Sequence, residues 1–162
     1  NITSDDIMSM SFSIAEEEVA TIGADILKGN LVSWNYYQTT DTEKNKEFVK
    51  AYKAKYGEDR VTSDPAEAAY DAVYMWKAAC EKAGSFDTDD VREALGGLSI
   101  DAPEGTITVN ADNQHLSKTV RIGQVSDDGL IYEISSTDAP VDPDPYLKTY
   151  DWAVKAGVQP LE

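Results

Sequence analysis

At 162 residues, 41% hydrophobic and 27% charged, the chain is long enough for one sizeable core or two small lobes and too apolar to be disordered. Thirty acidic residues against fourteen basic ones give a net charge of −16, which argues against nucleic acid or an anionic membrane as partner, because phosphates need a basic surface. A single cysteine, Cys80, and a single histidine, His115, rule out an intrachain disulfide and a cysteine-based metal cluster and argue against a zinc hydrolase or a Ser-His triad.

Asn1 to Asp6 reads as a polar linker, and Ile7 to Phe12 alternates apolar with small polar residues, a short strand. Ser13-Ile14-Ala15-Glu16 has the spacing of a capping box and opens a helix with Ala15, Val19 and Ile22 on one face, stopping near Gly23. Glu16, Glu17 and Glu18 suit the positive end of that helix. Consecutive residues splay around a helix, so the triplet predicts a solvated turn rather than a metal site. Gly29-Asn30 then punctuates the start of a second strand, Leu31 to Tyr37, which ends in Trp34, Asn35, Tyr36 and Tyr37 and leaves through the polar Gln38–Asp41. Rings supply apolar walls while hydroxyls and amides orient a ligand, so such a strand end suits the mouth of a small-molecule cleft. The plainer alternative is that the tyrosines cover the rim of the core.

A helix from Asp41 or Thr42 follows, with Phe48, Val49, Tyr52 and Tyr56 on its apolar side and Gly57 as its stop. Asp64-Pro65-Ala66-Glu67 reads as a helix start, with a capping acid, proline at the first turn and Glu three residues on. Ala66, Ala69, Tyr70, Val73, Trp76 and Cys80 predict the buried stripe of that helix as far as Gly84, which makes Cys80 a core residue. A shorter helix spans Asp89 to Leu95. Strands are predicted at Gly105–Val109, Val120–Val125 and Leu130–Ile134, the last two joined by an Asp127-Asp128-Gly129 turn. Asp138–Pro145 is proline-rich and extended, and Tyr146–Ala156 closes with a short helix. No apolar run reaches the roughly 18 residues of a bilayer span. No signal-peptide pattern stands at the start either. The opening Asn1 and the closing Leu161-Glu162 suggest a piece of something longer.

Two parallel strands joined by a helix need neighbours on both sides, and the helices from Asp41 to Leu95 lack strands of their own until about Thr106. The order therefore predicts part of a larger α/β protein. In such folds ligands sit at the carboxyl ends of strands, here Ser11, Phe12 and Ser13 on one and Trp34 to Tyr37 on the next, with the Asp64 helix completing the mouth. Alternation along a strand turns Trp34 and Tyr36 away from Asn35 and Tyr37, so one pair faces the cleft. Asp64 and Glu67 serve either that mouth or their own helix start.

Several blocks resemble, in order, the urea-binding protein of bacterial ABC importers and its relative, the short-chain amide receptor that regulates amidase operons. They are Met10 to Glu18, Trp34-Asn35-Tyr36-Tyr37-Gln38, Asp64-Pro65 with Glu67 to Tyr70, Asp101 to Gly105, Asn113 to Lys118, Val120 to Gly123 and Asp142 to Pro145. Gln114 departs from the family's pattern. The resemblance implies an α/β chain, part of a type I periplasmic binding fold of the Leu/Ile/Val-binding superfamily, with two lobes of parallel sheets flanked by helices and a C-terminal β-hairpin. In that frame 1–39 ends the second lobe, 40–119 belongs to the first, 120–137 is the returning hairpin and 138–162 is a tail. The missing N-terminal half would carry most first-lobe contacts.

The implied ligand is urea or a short-chain amide, rich in N–H donors. Ser11, Ser13, Tyr36, Asp64 and Glu67 would supply polar partners, and Phe12, Trp34 and Tyr37 would supply walls. No catalytic residue, cofactor or metal is expected. The implied partner is an ABC permease, and the implied location is periplasmic or extracellular, with a signal peptide or lipid anchor on the full-length protein. Three other readings stay open: an amide-sensing regulator of the same fold, an acid-rich hydrolase, and a folding module that dimerises over its unpaired edges.

Overall fold

Alternation and β-branching build two separate sheets rather than one. The computed structural model describes residues 3–157; Asn1, Ile2 and 158–162, with the Leu161-Glu162 end, lie outside the described residues. In the first sheet, β1 (Met10–Ser11) leads through α1 (Glu16–Ile22) and α2 (Ala24–Leu27) into β2 (Leu31–Trp34), and β1 and β2 pair in parallel. The strand expected over Ile7–Phe12 is only two residues long; Ile7 and Met8 stand exposed. Gly23, at φ 113°, ends α1 and begins α2, a helix the sequence reading lacks.

β2 stops at Trp34, short of the expected Tyr37. The amides of Asn35 and Tyr36, which a continuing strand would give to a neighbour, donate instead to Asp64 Oδ2 at 3.0 Å each. The chain then leaves the first sheet. Thr42 caps α3 (Glu43–Tyr56), its Oγ1 accepting from the Asn45 amide at 3.0 Å. α4 (Asp64–Ala83) is capped by Ser63 rather than Asp64, with Pro65 in its first turn and a left-handed Gly84 at its end. α5 (Thr88–Leu95) follows.

The second sheet comprises β3 (Ser99–Ala102), β4 (Gly105–Val109) and β5 (Leu116–Ser117), all antiparallel. β4 has the bounds expected, but β3 and β5 were not anticipated, so the helical stretch has a strand partner earlier than Thr106. Finally β6 (Arg121–Val125) returns to pair antiparallel with β2, β7 (Ile131–Ser136) pairs with β6, and α6 (Asp151–Lys155) closes the described chain. Among the described residues parallel pairing is thus confined to β1 and β2. The proline-rich tail runs extended and touches the body through a bridge between Lys118 and Val141.

Three apolar clusters result. Val19, Val32, Tyr37, Val125 and Ile131 join α1 to the first sheet. Met75, Ala102, Ile107 and Val109 join α4 to the second. Ala79, Cys80, Val91 and Ala94 join α4 to α5, with Cys80 buried as expected. Gly123 lets the Tyr37 ring lie on β6, since a Cβ there would stand 2.8 Å from Tyr37 Cζ and 2.5 Å from Ile131 Cγ2.

The buried stripe of α4 differs from the expected one. Glu67, Asp71, Met75 and Ala79, one i, i+4 row, face inward, while Tyr70, Val73 and Trp76 are exposed. The reason is tertiary: the row is held by the Glu104 amide, which donates to Glu67 Oε1 at 3.1 Å, and by the apolar faces of β3 and β4 further along.

Candidate functional site

The carboxyl ends of β1 and β2, the N-terminus of α1 and the N-terminus of α4 meet in one place. Ser11 sits opposite Val32, and its Oγ accepts from the Ser13 and Ile14 amides at 3.1 Å each, turning the chain out of the strand. This corrects the capping box read at Ser13: the N-cap of α1 is Ala15, and Glu18 accepts the Ala15 amide at 2.8 Å. Trp34 Nε1 donates to Ile14 O at 2.8 Å, which binds the two strand tips together. Phe12 is 71% exposed beside them and Ser13 is exposed.

The other residues expected at the mouth lie behind it. Tyr36 and Tyr37 are both fully buried, because once β2 ends at Trp34 strand alternation no longer governs which way they point. The Tyr36 hydroxyl donates to Asn45 Oδ1 and shares a hydrogen bond with Thr62 Oγ1, both at 2.7 Å. Tyr37 donates to the carbonyls of Val32 and Arg121 at 2.9 and 3.1 Å. Burial raises both phenol pKa values, so both stay protonated hydrogen-bond donors. Asp64 spends one oxygen on the Asn35 and Tyr36 amides, and Glu67 has no exposed surface.

Glu16, expected on a solvated turn, is fully buried and accepts the Gln38 amide at 2.7 Å. Glu17 accepts the Ser63 hydroxyl at 2.7 Å. α1 and α4 therefore both present carboxylates toward the Asn35–Gln38 connector. Desolvation pushes Glu16 up to about 7, with further upward push from Asp64 and Glu17 against the downward pull of the Gln38 bond.

Two cations stand close by, and both are engaged. Arg121, 8% exposed, donates from Nε to Glu133 at 2.8 Å, from Nη2 to Glu104 O at 2.9 Å and from Nη1 to Asn35 O. It ties the outgoing connector to the returning one, as does Asn35 Nδ2 donating to Thr119 O at 2.8 Å. Lys118 pairs with the buried Glu104. Sequence reading noted Lys118, Arg121 and Glu104 only inside resembling blocks; a lone Arg in a strand gives no local sign that three elements will converge on it. A surface recess of 610 Å³ lies at the other end of the first sheet, against Lys28, Gly29 and Gln124.

The chain is similar to several known proteins. It is 30% identical over 126 residues to a Geobacillus stearothermophilus protein named limonene hydroxylase, covering 78% of this chain and 23% of that one. It is 26% identical over 133 residues to Leu/Ile/Val-binding protein homolog 6 of Brucella abortus, covering 79% of this chain and 34% of the relative. The solved solute-binding protein of an ABC transporter from Rhodopseudomonas palustris HaA2, in complex with p-hydroxybenzoic acid, superposes with a TM-score of 0.76 at 25% identity, over 90% of this chain and 40% of that one. The chain thus spans less than half the length of each of these proteins. The α/β architecture anticipated from the sequence is the one these folds share, and the model of the periplasmic binding protein domain matches residues 1–151. By that match the chain belongs to the periplasmic binding protein family.

Proposed function

We propose that this chain is part of an extracytoplasmic solute-binding protein that captures urea or a short-chain amide and hands it to an ABC permease. The observation that carries the reading is the chemistry of the mouth. Its polar side chains are hydroxyls and carboxylates, while the two nearby cations, buried Arg121 and partly buried Lys118, are already paired. p-Hydroxybenzoic acid, named with the solved relative, carries a carboxylate, as do leucine, isoleucine and valine. An anion entering here would meet Glu16, Glu17 and Asp64 with no free buried cation, among the described residues of the mouth, to offset them. A neutral ligand made mostly of N–H donors finds acceptors instead. The resembling blocks at Met10–Glu18 and Trp34–Gln38 support the same class.

In this reading Ser11, Phe12, Ser13 and Trp34 face the ligand, and Tyr36, Tyr37, Asp64 and Glu67 hold that surface from behind. Residues 1–39 and 120–137 form one lobe, and 40–119 belong to the other. Among the described residues no helix is long and apolar enough to cross a membrane, which suits a receptor that works beside a permease.

The test is calorimetry on the full-length protein with urea, acetamide, leucine and p-hydroxybenzoate. Urea or acetamide is expected to bind and the two carboxylates not to. Tight binding of leucine or p-hydroxybenzoate alone would overturn the assignment. Ammonia release from urea or acetamide would point to a hydrolase instead.

A further inference from the structure

Away from the strand tips, α4 carries a second arrangement. Glu67 and Asp71 on one face of α4 and Glu104 on the β3–β4 turn are 0%, 2% and 2% exposed, and one carboxylate oxygen from each lies within 4.8 Å of the others. Glu67 Oε2, both oxygens of Asp71 and Glu104 Oε2 accept no hydrogen bond from the protein. Lys118 is the cation that touches the group, through Glu104. Unpaired buried carboxylate oxygens are costly, and deleting all three charges would have been the simpler way to fill this volume. The cluster holds them instead.

The geometry points to a divalent-cation site formed by Glu67, Asp71 and Glu104, of the size and hardness of Ca²⁺. Charge and donor type agree. Three carboxylates against one ammonium leave two negative charges, which a divalent ion offsets and a monovalent ion does not. Oxygens that all lie within 4.8 Å of one another can converge on one ion, and a buried carboxylate set supplied by the protein suits Ca²⁺ better than Mg²⁺, which dehydrates reluctantly and keeps several waters. Oxygen-only donors select a hard ion over zinc or copper. A recess of 270 Å³ bordered by Ala68, Asp71, Met75, Gln114, Leu116 and Lys118 gives an ion and its waters a way in. Burial raises all three carboxylates, Asp71 included, so the competing occupant is a proton shared between Glu67 and Asp71. The site shares Glu67 with the backing of the ligand surface proposed above; Asp71 and Glu104 do not belong to that surface, so substitutions there test the cation site alone.

The experiment is calorimetry and thermal melting of the EDTA-stripped protein with CaCl₂ and with MgCl₂ at mildly alkaline pH, for wild type, Asp71→Asn and Glu104→Gln. One Ca²⁺ per chain is expected, with an upward shift of the wild-type melting midpoint and weaker binding of Mg²⁺. Asp71→Asn keeps the shape of the side chain and should fold. It is expected to weaken Ca²⁺ by at least about tenfold and to abolish the melting shift. Glu104→Gln should do the same. No heat and no shift at millimolar Ca²⁺ would overturn the site in favour of the shared proton. Ca²⁺ binding that persists unchanged in Asp71→Asn would overturn it in favour of surface acids.

Discussion

Glu16 shows how far a residue's role can depart from its local pattern. It lies in a run of three glutamates at a helix N-terminus, yet it is fully buried and turned onto the Gln38 amide. Its carboxyl is pushed up to about 7 from 4.5, chiefly by desolvation, with Asp64 and Glu17 adding to the push. Between those values the folded state holds a proton that the unfolded state has released. The stability it contributes is therefore full below about pH 4.5 and is lost as pH rises through about 7. Glu67, Asp71 and Glu104 shift in the same direction, so only the difference between wild type and Glu16→Gln isolates this group. Guanidinium chloride denaturation over a pH series should show the wild type losing stability from about pH 5 to 8. Glu16→Gln should lose less by up to an amount on the order of 3 kcal/mol. Parallel curves for the two proteins would mean that Glu16 stays charged in the fold.

Among the elements, α4 separates what periodicity can and cannot say. Its start, its proline and its terminal glycine were legible, because caps are local chemistry. Its orientation was not. The helix carries apolar residues on two faces, so Tyr70, Val73 and Trp76 looked like the core, while Glu67 read as part of the cleft mouth or of its own helix start. The fold reverses this around Met75, which packs on Ala102, Ile107 and Val109. Met75→Ala should cost about 2–3 kcal/mol in chemical denaturation, while Val73→Ser, at a position 63% exposed, should stay within about 0.5 kcal/mol. Equal effects would restore the orientation first read from the sequence. β5 escaped notice for a related reason: it has two residues, too few for alternation to register.

At the scale of the molecule, the two sheets are joined through the connectors that Arg121 and Asn35 hold together, and the chain covers 40% of the solved relative. A ligand as small as urea gains at most about 1.5 kcal/mol per heavy atom, so about −6 kcal/mol, or tens of micromolar, is its ceiling. Reaching that ceiling requires nearly every polar atom paired and water expelled. The 162-residue chain by itself is accordingly expected to bind urea negligibly in calorimetry, while the full-length protein binds it. Comparable affinity for both would show that the whole site lies here. The sequence by itself determined the extents of α3 and α4 to within a residue or two and the strand at Gly105–Val109. All of these follow from neighbours within a few residues. Only the tertiary structure decided that Tyr36 and Tyr37 turn inward, that Arg121 spans three segments and that Glu16, Asp64, Glu67, Asp71 and Glu104 are buried. Those outcomes depend on amides, carbonyls and cations brought in from positions far away along the chain.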